Sequence, residues 1–317
     1  MHLALLGTGL AAEIHSKALA AVAPAVRRSY ASRDGARAAA AARRLGGAGS
    51  HASYEAALAD ASVDVVLVGL PPSLHLDWTL KALDAGKHVI VEKPPFLRSD
   101  DVTAVEHAAG RAGRRVFVAE NYFYKPLTAL LRGVIRAGDL GDVRFIQVTA
   151  LKRQVTRDWR DDPALAGGGA LFEGGIHWIS LLANIGLTPA RVCAARPGER
   201  TGPERNIVVT IEYAEGAVAS LAYSWDLPGL VNGVRVSRVY GTAGTVRFET
   251  NGLLAIQTGR RTRVHLPGLA DLSGYRAMHR DFLDAIAADR PPAYDLELAR
   301  RDLRLVEDAY RSAVPRT

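Results

Sequence analysis

Lys93 and His177 are the side chains whose type and setting suit charge and proton handling, and a glycine cluster near residue 7 suits a phosphate. Lys93 stands in Glu92-Lys93-Pro94-Pro95, directly after the apolar run 88–91. An ammonium at the carboxyl end of a buried strand can stabilise negative charge on a reacting oxygen. Glu92 and Pro94 fix its direction, which a solvated surface lysine would not need. His177 and Glu173 are spaced i, i+4 within a predicted helix over 172–184, so both face the same way. An imidazole with a carboxylate one turn back can exchange a proton while the carboxylate orients it. Taken alone, a histidine on an apolar helix is more often structural. Here Gly167-Gly168-Gly169 upstream would let backbone approach a ligand, which favours the chemical reading. A His and a Glu could also ligate a metal, but no third ligand is placed nearby, so none is expected.

Gly7-Thr8-Gly9-Leu10-Ala11-Ala12 fits G-x-G-x-x-A between an apolar run and a helical one. The first glycine permits a tight turn, the second lets backbone reach a pyrophosphate, and Ala12 lets helix and sheet pack closely. The helix N-terminus then offers free N–H groups to phosphate. At the end of the second strand, where a carboxylate would hold the ribose hydroxyls of NAD, stand Ser32 and Arg33, with Arg37 one turn on. A hydroxyl and two guanidinium groups suit a 2′-phosphate, so NADP is expected rather than NAD. Asp34 opposes that charge pattern, but its position suits a cap for the next helix.

The elements that must position these groups follow from periodicity. Strands are predicted over 3–6, 26–31, 63–69, 88–91 and 116–119, alternating with helices over 10–22, 35–45, 74–85 and 99–112. That alternation implies a doubly wound parallel sheet, an α/β domain over 1–120. From about residue 140 the runs 143–151, 206–213, 217–224 and 234–240 alternate apolar and polar between turns such as Glu215-Gly216 and Ala243-Gly244. They predict a C-terminal α+β domain over 121–317, built on a large, mostly antiparallel sheet. A connecting helix is placed at 121–140, and two more at 275–288 and 297–312.

The net charge of +7 comes mostly from arginines scattered through helices, without a dense basic run, so no nucleic-acid partner is expected. Such a surface favours anionic ligands. Cys193 is the single cysteine, which excludes an internal disulfide and fits a small apolar strand residue in a reducing cytoplasm. Apolar runs such as 63–70 are too short to span a bilayer, and a strand starting at residue 3 leaves no room for a signal peptide, so neither membrane nor export is expected.

Val68-Gly69-Leu70-Pro71-Pro72-Ser73-Leu74-His75, followed by Gly86 through Glu92-Lys93-Pro94-Pro95, resembles the Gfo/Idh/MocA family of sugar and cyclitol oxidoreductases. The likeness runs on through Ala119-Glu120-Asn121-Tyr122, Trp159-Arg160 and Gly167 to His177, and so covers essentially the whole chain. It implies that Leu70, Pro71, His75, Glu92, Lys93, Asn121, Trp159 and Arg160 join residues 7–11, Ser32, Arg33 and Arg37 at the cofactor. It further implies that Lys93, Tyr122, Arg160, Glu173 and His177 meet the substrate, with Lys93, His177 and Glu173 catalytic. The family usually has Asp where this chain has Glu173, which leaves that residue's role open. Arg160 reads equally as a clamp or as an ordinary ion pair, and Trp178 and Tyr223 read better as core. The implied substrate is a sugar, sugar nucleotide or cyclitol, with specificity in loops 152–166 and 227–232, and the implied assembly is a homodimer or homotetramer through the second sheet. Two alternatives stand beside it: reduction of a non-carbohydrate C=O, C=N or C=C bond, and NADP binding without catalysis. The last would predict loss of Lys93 or His177, and both are present.

Overall fold

The computed structural model describes residues 1–156, 158–198, 202–228, 234–269 and 271–313. Arg157 and 229–232, within the two predicted specificity loops, fall outside them. The chain divides into two compact units: Met1–Glu120 with Tyr275–Arg301, and Asn121–Gly274 with the stretch from Asp302.

In the first unit, β1 (His2–Leu6), α1 (Leu10–Val22), β2 (Arg27–Ala31), α2 (Gly35–Leu45), β3 (Gly49–His51), α3 (Tyr54–Ala59), β4 (Val65–Val68), α4 (His75–Asp84), β5 (His88–Val91), α5 (Asp101–Ala112) and β6 (Val116–Val118) follow in order. All six strands pair in parallel, in the order β3-β2-β1-β4-β5-β6. Every residue of β1, β4 and β6 is buried, as a parallel sheet hidden on both faces requires. The order reverses between β1 and β4, so the turns after these strands splay apart and open a crevice at their carboxyl ends. This is a Rossmann fold.

The turn after β1 shows why Gly7 is a glycine. Its φ is +100°, and its N–H bonds the Ala31 carbonyl while Gly69 N–H bonds that of Leu6. A Cβ on Gly7 would lie 2.6 Å from the Gly69 oxygen.

The second unit holds α6 (Pro126–Arg136), β7 (Val143–Leu151), α7 (Pro163–Ala166), a π-helical turn (Leu171–Gly175) and α8 (Ile176–Ala183). Then come β8 (Pro189–Ala195), β9 (Asn206–Tyr213), β10 (Val218–Ser224), β11 (Val236–Gly241), β12 (Thr245–Glu249), β13 (Ala255–Thr258) and β14 (Arg263–His265). Its eight strands run β14-β13-β12-β11-β7-β10-β9-β8, antiparallel except at β7–β10. Burial alternates along β9, as on a sheet with one covered face. Helix α8 is anchored to that sheet by Tyr213, whose hydroxyl donates to the Leu182 carbonyl. The other face leaves Phe145 60% exposed, with Val208 and Val236.

The chain closes with α9 (Tyr275–Ala287) and α10 (Leu296–Ala313). Chain order had put both with the second domain, but α9 belongs to the first unit, where Phe282 packs on Phe117 at 4.9 Å between ring centroids. Short β3, α3 and β14, and the brief strands β12 and β13, were not predicted, and of β8 only a strand setting for Cys193 was expected. No described helix is long and apolar enough to cross a membrane.

Gly7→Ala combines a left-handed φ with a backbone clash, so it should destabilise the protein by about 1–3 kcal/mol. Urea unfolding would measure this, and an unchanged midpoint would mean that the turn can rearrange.

Candidate functional site

The predicted residues fall into two groups, one on each unit. On the first, the carboxyl ends of β1, β2, β4 and β5 carry Gly7–Ala11, Ser32–Arg33, Leu70–Pro71 and Glu92–Lys93 along one sheet edge. Gly9 is the N-cap of α1 and has no side-chain capping bond, so the helix presents unsatisfied N–H groups there. Gly9 is exposed, with open space where a Cβ would stand, and Leu10 beside it is 68% exposed. Thr8 and Ala11 are half-buried. An open helix N-terminus behind a glycine cradle fits a dinucleotide pyrophosphate.

At the end of β2, Ser32 is buried and its Oγ accepts the Asp34 N–H. Arg33 is exposed, and its charge acts on the hydroxyl of Tyr54. Asp34 caps α2, accepting from the N–H groups of Ala36 and Arg37. Arg37 turns its Nε to within 3.5 Å of that carboxylate, so its charge is partly matched before any ligand arrives.

Two residues expected at the cofactor have internal partners instead. His75 is 1% exposed, with Nδ1 against the Pro94 carbonyl at 2.8 Å and Nε2 against that of Leu70 at 2.7 Å. Both ring nitrogens face backbone carbonyls, and the neutral ring that burial favours donates to one of them, so the imidazole lies between the two loops. Glu92 is buried as well, with Oε1 2.7 Å from His15 Nε2 and Oε2 accepting the Lys93 N–H. Lys93 is half-buried, and the Lys93–Pro94 peptide is cis.

On the second unit, the Tyr122 ring stacks on His177 with centroids 4.4 Å apart and planes 15° apart. Trp178 meets Tyr122 edge-on, and the ammonium of buried Lys125 lies 4.1 Å from the Tyr122 centroid. Buried Asn121 donates to the Ser273 carbonyl, while its Oδ1 has no hydrogen-bond partner among the described residues. Arg160 donates through Nε to Glu173 at 2.9 Å and through a terminal nitrogen to Asp158 at 2.6 Å. Its guanidinium also covers the Trp159 ring. The ion-pair reading of Arg160 thus describes what it does within the unit.

The predicted continuous helix over 172–184 is replaced by the π turn followed by α8, with Glu173 in the wide turn and His177 in the first turn of the α-helix. Gly174 makes this possible, because a Cβ there would collide with the Tyr223 hydroxyl. Tyr223 is core, as expected, yet its hydroxyl stands beside the turn that carries Glu173. Burial, then the Glu173 charge, pushes its pKa up, so it remains an O–H. Gly167-Gly168-Gly169 also serves the interior: a side chain at Gly168 would meet Phe172, and one at Gly169 would meet Glu204.

Sequence reasoning missed the groups that fix this turn. Glu204 accepts the Leu171 N–H through Oε1 and the Ala170 N–H through its carbonyl, both at 2.7 Å. The Tyr310 hydroxyl takes the N–H groups of Gly169 and Phe172 and donates to Glu204 at 2.8 Å. Four N–H groups are thereby satisfied by residues 33 or more positions away. No local pattern marks such partners.

Glu92 gives a pH dependence. Burial raises its carboxyl pKa, but the His15 hydrogen bond, with the further electrostatic pull of that ring and the Lys93 charge, outweighs burial and brings it from 4.5 down to about 2. A lowered folded value contributes stability above the unfolded pKa, so this contribution should be full above about pH 4.5 and fade as pH falls toward 2. Glu92→Gln should be less stable at neutral pH and flatter across that window. Thermal unfolding against pH measures it; an acid limb equal to that of wild type would assign the loss to other groups.

Comparison with known proteins shows the family. Residues 1–120 match the model of an oxidoreductase family with an NAD-binding Rossmann fold, and residues 128–247 match that of the GFO/IDH/MocA C-terminal domain. The chain is similar to a D-xylose 1-dehydrogenase (NADP(+)) of Haloferax volcanii, 33% identical over 92% of this chain and 93% of that one. It is 28% identical to a levoglucosan dehydrogenase of Pseudarthrobacter phenanthrenivorans over 78% of this chain and 73% of the other. Among solved structures, a levoglucosan dehydrogenase in complex with NADH and levoglucosan shares the fold, with TM-score 0.87, 23% identity, and 99% and 97% of the two chains covered. With both halves matched by models of one family and a relative alike along nearly its whole length, the chain belongs to the Gfo/Idh/MocA family of NAD(P)-dependent oxidoreductases.

Proposed function

We propose that the protein is an NADP-dependent oxidoreductase acting on a secondary alcohol or ketone of a sugar, sugar nucleotide or cyclitol. The observation that carries this reading is the shared edge at which Gly7–Gly9, Ser32–Arg33 and Lys93 stand, in a chain whose relatives include a D-xylose dehydrogenase. Bound nicotinamide supplies the hydride acceptor or donor. Residues 7–11 hold the pyrophosphate; Ser32 and exposed Arg33 take the 2′-phosphate, with Arg37 beside them.

Lys93 hydrogen-bonds the substrate oxygen and stabilises the negative charge that develops on it. His177 takes the hydroxyl proton in oxidation and returns it in reduction. Stacking on Tyr122 fixes the plane of the His177 ring, and Arg160 keeps the Glu173 carboxylate charge-paired beside the substrate hydroxyls. Asn121 offers its unpartnered Oδ1 to the carboxamide. We read Phe145 and its exposed neighbours on the second sheet as the contact between subunits of a homo-oligomer, and the cytoplasm as its compartment.

Purified protein offered NADP with aldoses and cyclitols, or NADPH with keto-sugars, should change absorbance at the reduced-nicotinamide band. Lys93→Ala and His177→Ala should each slow turnover on the order of a hundredfold, and His177→Ala should keep its NADP affinity. Turnover confined to non-carbohydrate substrates, or near-normal rates in both variants, would overturn the reading.

The cofactor choice has its own test. Replacing Ser32 by Asp and Arg33 by Ala should move preference from NADP toward NAD, because a lost charged hydrogen bond costs about 1.5–3 kcal/mol, roughly ten- to a hundredfold in affinity. Equal binding of NAD and NADP by the unaltered protein would refute the 2′-phosphate assignment.

A further inference from the structure

Three buried groups of the first unit form a chain that the proposed reaction does not use. His15 on α1 and His279 on α9 are both fully buried, with His15 Nδ1 2.9 Å from His279 Nε2. His15 Nε2 lies 2.7 Å from Glu92, whose other oxygen accepts the backbone N–H of Lys93 at 2.9 Å. Tyr275 closes the far side of His15 edge-on at 5.2 Å.

Chemistry gives this chain one direction. An ionised carboxylate only accepts, so His15 carries its proton on Nε2 and donates it to Glu92. In the neutral ring Nδ1 then accepts, and His279 donates to it from Nε2. His279 Nδ1, buried and without a hydrogen-bond partner among the described residues, is left as a lone pair. A doubly protonated His15 would reverse the inner bond and strand an N–H on His279, and an orphaned buried donor is the costlier defect.

We infer that the chain from His279 through His15 to Glu92 is the positioning device for Lys93. Glu92 spans its own following peptide, so it holds the plane from which the Lys93 side chain departs. His15 stops that carboxylate from rotating, and His279 fixes the tautomer of His15. The two histidines touch no reacting atom and act through Lys93. This inference rests on the reading of Lys93 as the catalytic lysine.

The test uses full-length His15→Leu and His15→Gln, each also in a Lys93→Ala background. The Gln amide can still donate to Glu92, whereas Leu cannot. His15→Leu should lower kcat about ten- to a hundredfold, the scale of a misplaced catalytic group, with NADP Kd from fluorescence titration within a few-fold of wild type. His15→Gln should recover most of the rate, and His15→Leu should cost nothing further once Lys93 is Ala. In ligand-free, histidine-labelled protein, the shielded His15 N–H should give a slowly exchanging downfield proton resonance that persists in Lys93→Ala and disappears in His15→Gln. If His15→Leu fails to fold, His279→Leu with rescue by His279→Gln carries the same comparison. Full turnover in His15→Leu while Lys93→Ala is slow would overturn the positioning role alone, as would equal losses in Leu and Gln or additive losses with Lys93→Ala. Normal turnover in Lys93→Ala would instead remove the catalytic reading itself, and this inference with it.

Discussion

A carboxylate taken out of water must have its oxygens occupied, and this requirement shapes each of the two units. Glu92 directly follows β5, buried inside the first unit, and an unpaired charge there would cost several kcal/mol, on the order expected for a desolvated ion. Its two oxygens therefore draw in His15 from α1 and the peptide of Lys93, and His15 in turn draws in His279 from α9. Helix α9 follows the whole second sheet in sequence, yet it packs on the first unit.

Glu204 answers the same requirement in the second unit with a different outcome. It faces the start of the π turn, where free N–H groups need acceptors, and Tyr310 joins it there. Desolvation dominates, so its carboxyl pKa is raised despite those hydrogen bonds. The contrast with Glu92 has a physical cause: the His15 hydrogen bond is the largest influence lowering Glu92, with the Lys93 charge behind it, whereas Glu204 meets mostly neutral donors and Arg196 acts on it only as the last of its lowering influences. In one unit the buried acid holds a lysine's backbone; in the other it holds the turn that presents Glu173. Glu173 is itself buried and takes its counter-charge from Arg160.

Around these fixed points the small residues are shaped by packing as much as by ligands. Gly7 is required by its backbone angle and by the Gly69 carbonyl, while Gly9 opens onto empty space. Gly168 and Gly169 look like the same kind of ligand-facing glycine in sequence. In the structure they admit Phe172 and Glu204.

The amino-acid sequence by itself determined what local rules control. The apolar run from Leu3 in β1 and the apolar β4 declare a parallel sheet, alternation in β7 and β9 declares a half-covered one, and Gly7-Thr8-Gly9 between strand and helix declares a phosphate cradle. Asp34 was legible as a helix cap because its partners are two and three residues away. Only the tertiary structure decided what depends on partners far along the chain. It set His75 between two carbonyls, turned Glu92 inward onto His15, placed α9 with the first unit, and widened the helix at Glu173 into a π turn against Tyr223. Hydrogen bonds 77 and 264 residues long in sequence, such as those of His15, leave no periodic trace. The reason is physical: a buried polar group is satisfied by whatever the fold brings within 3 Å or so, and proximity in space is not written in spacing along the chain.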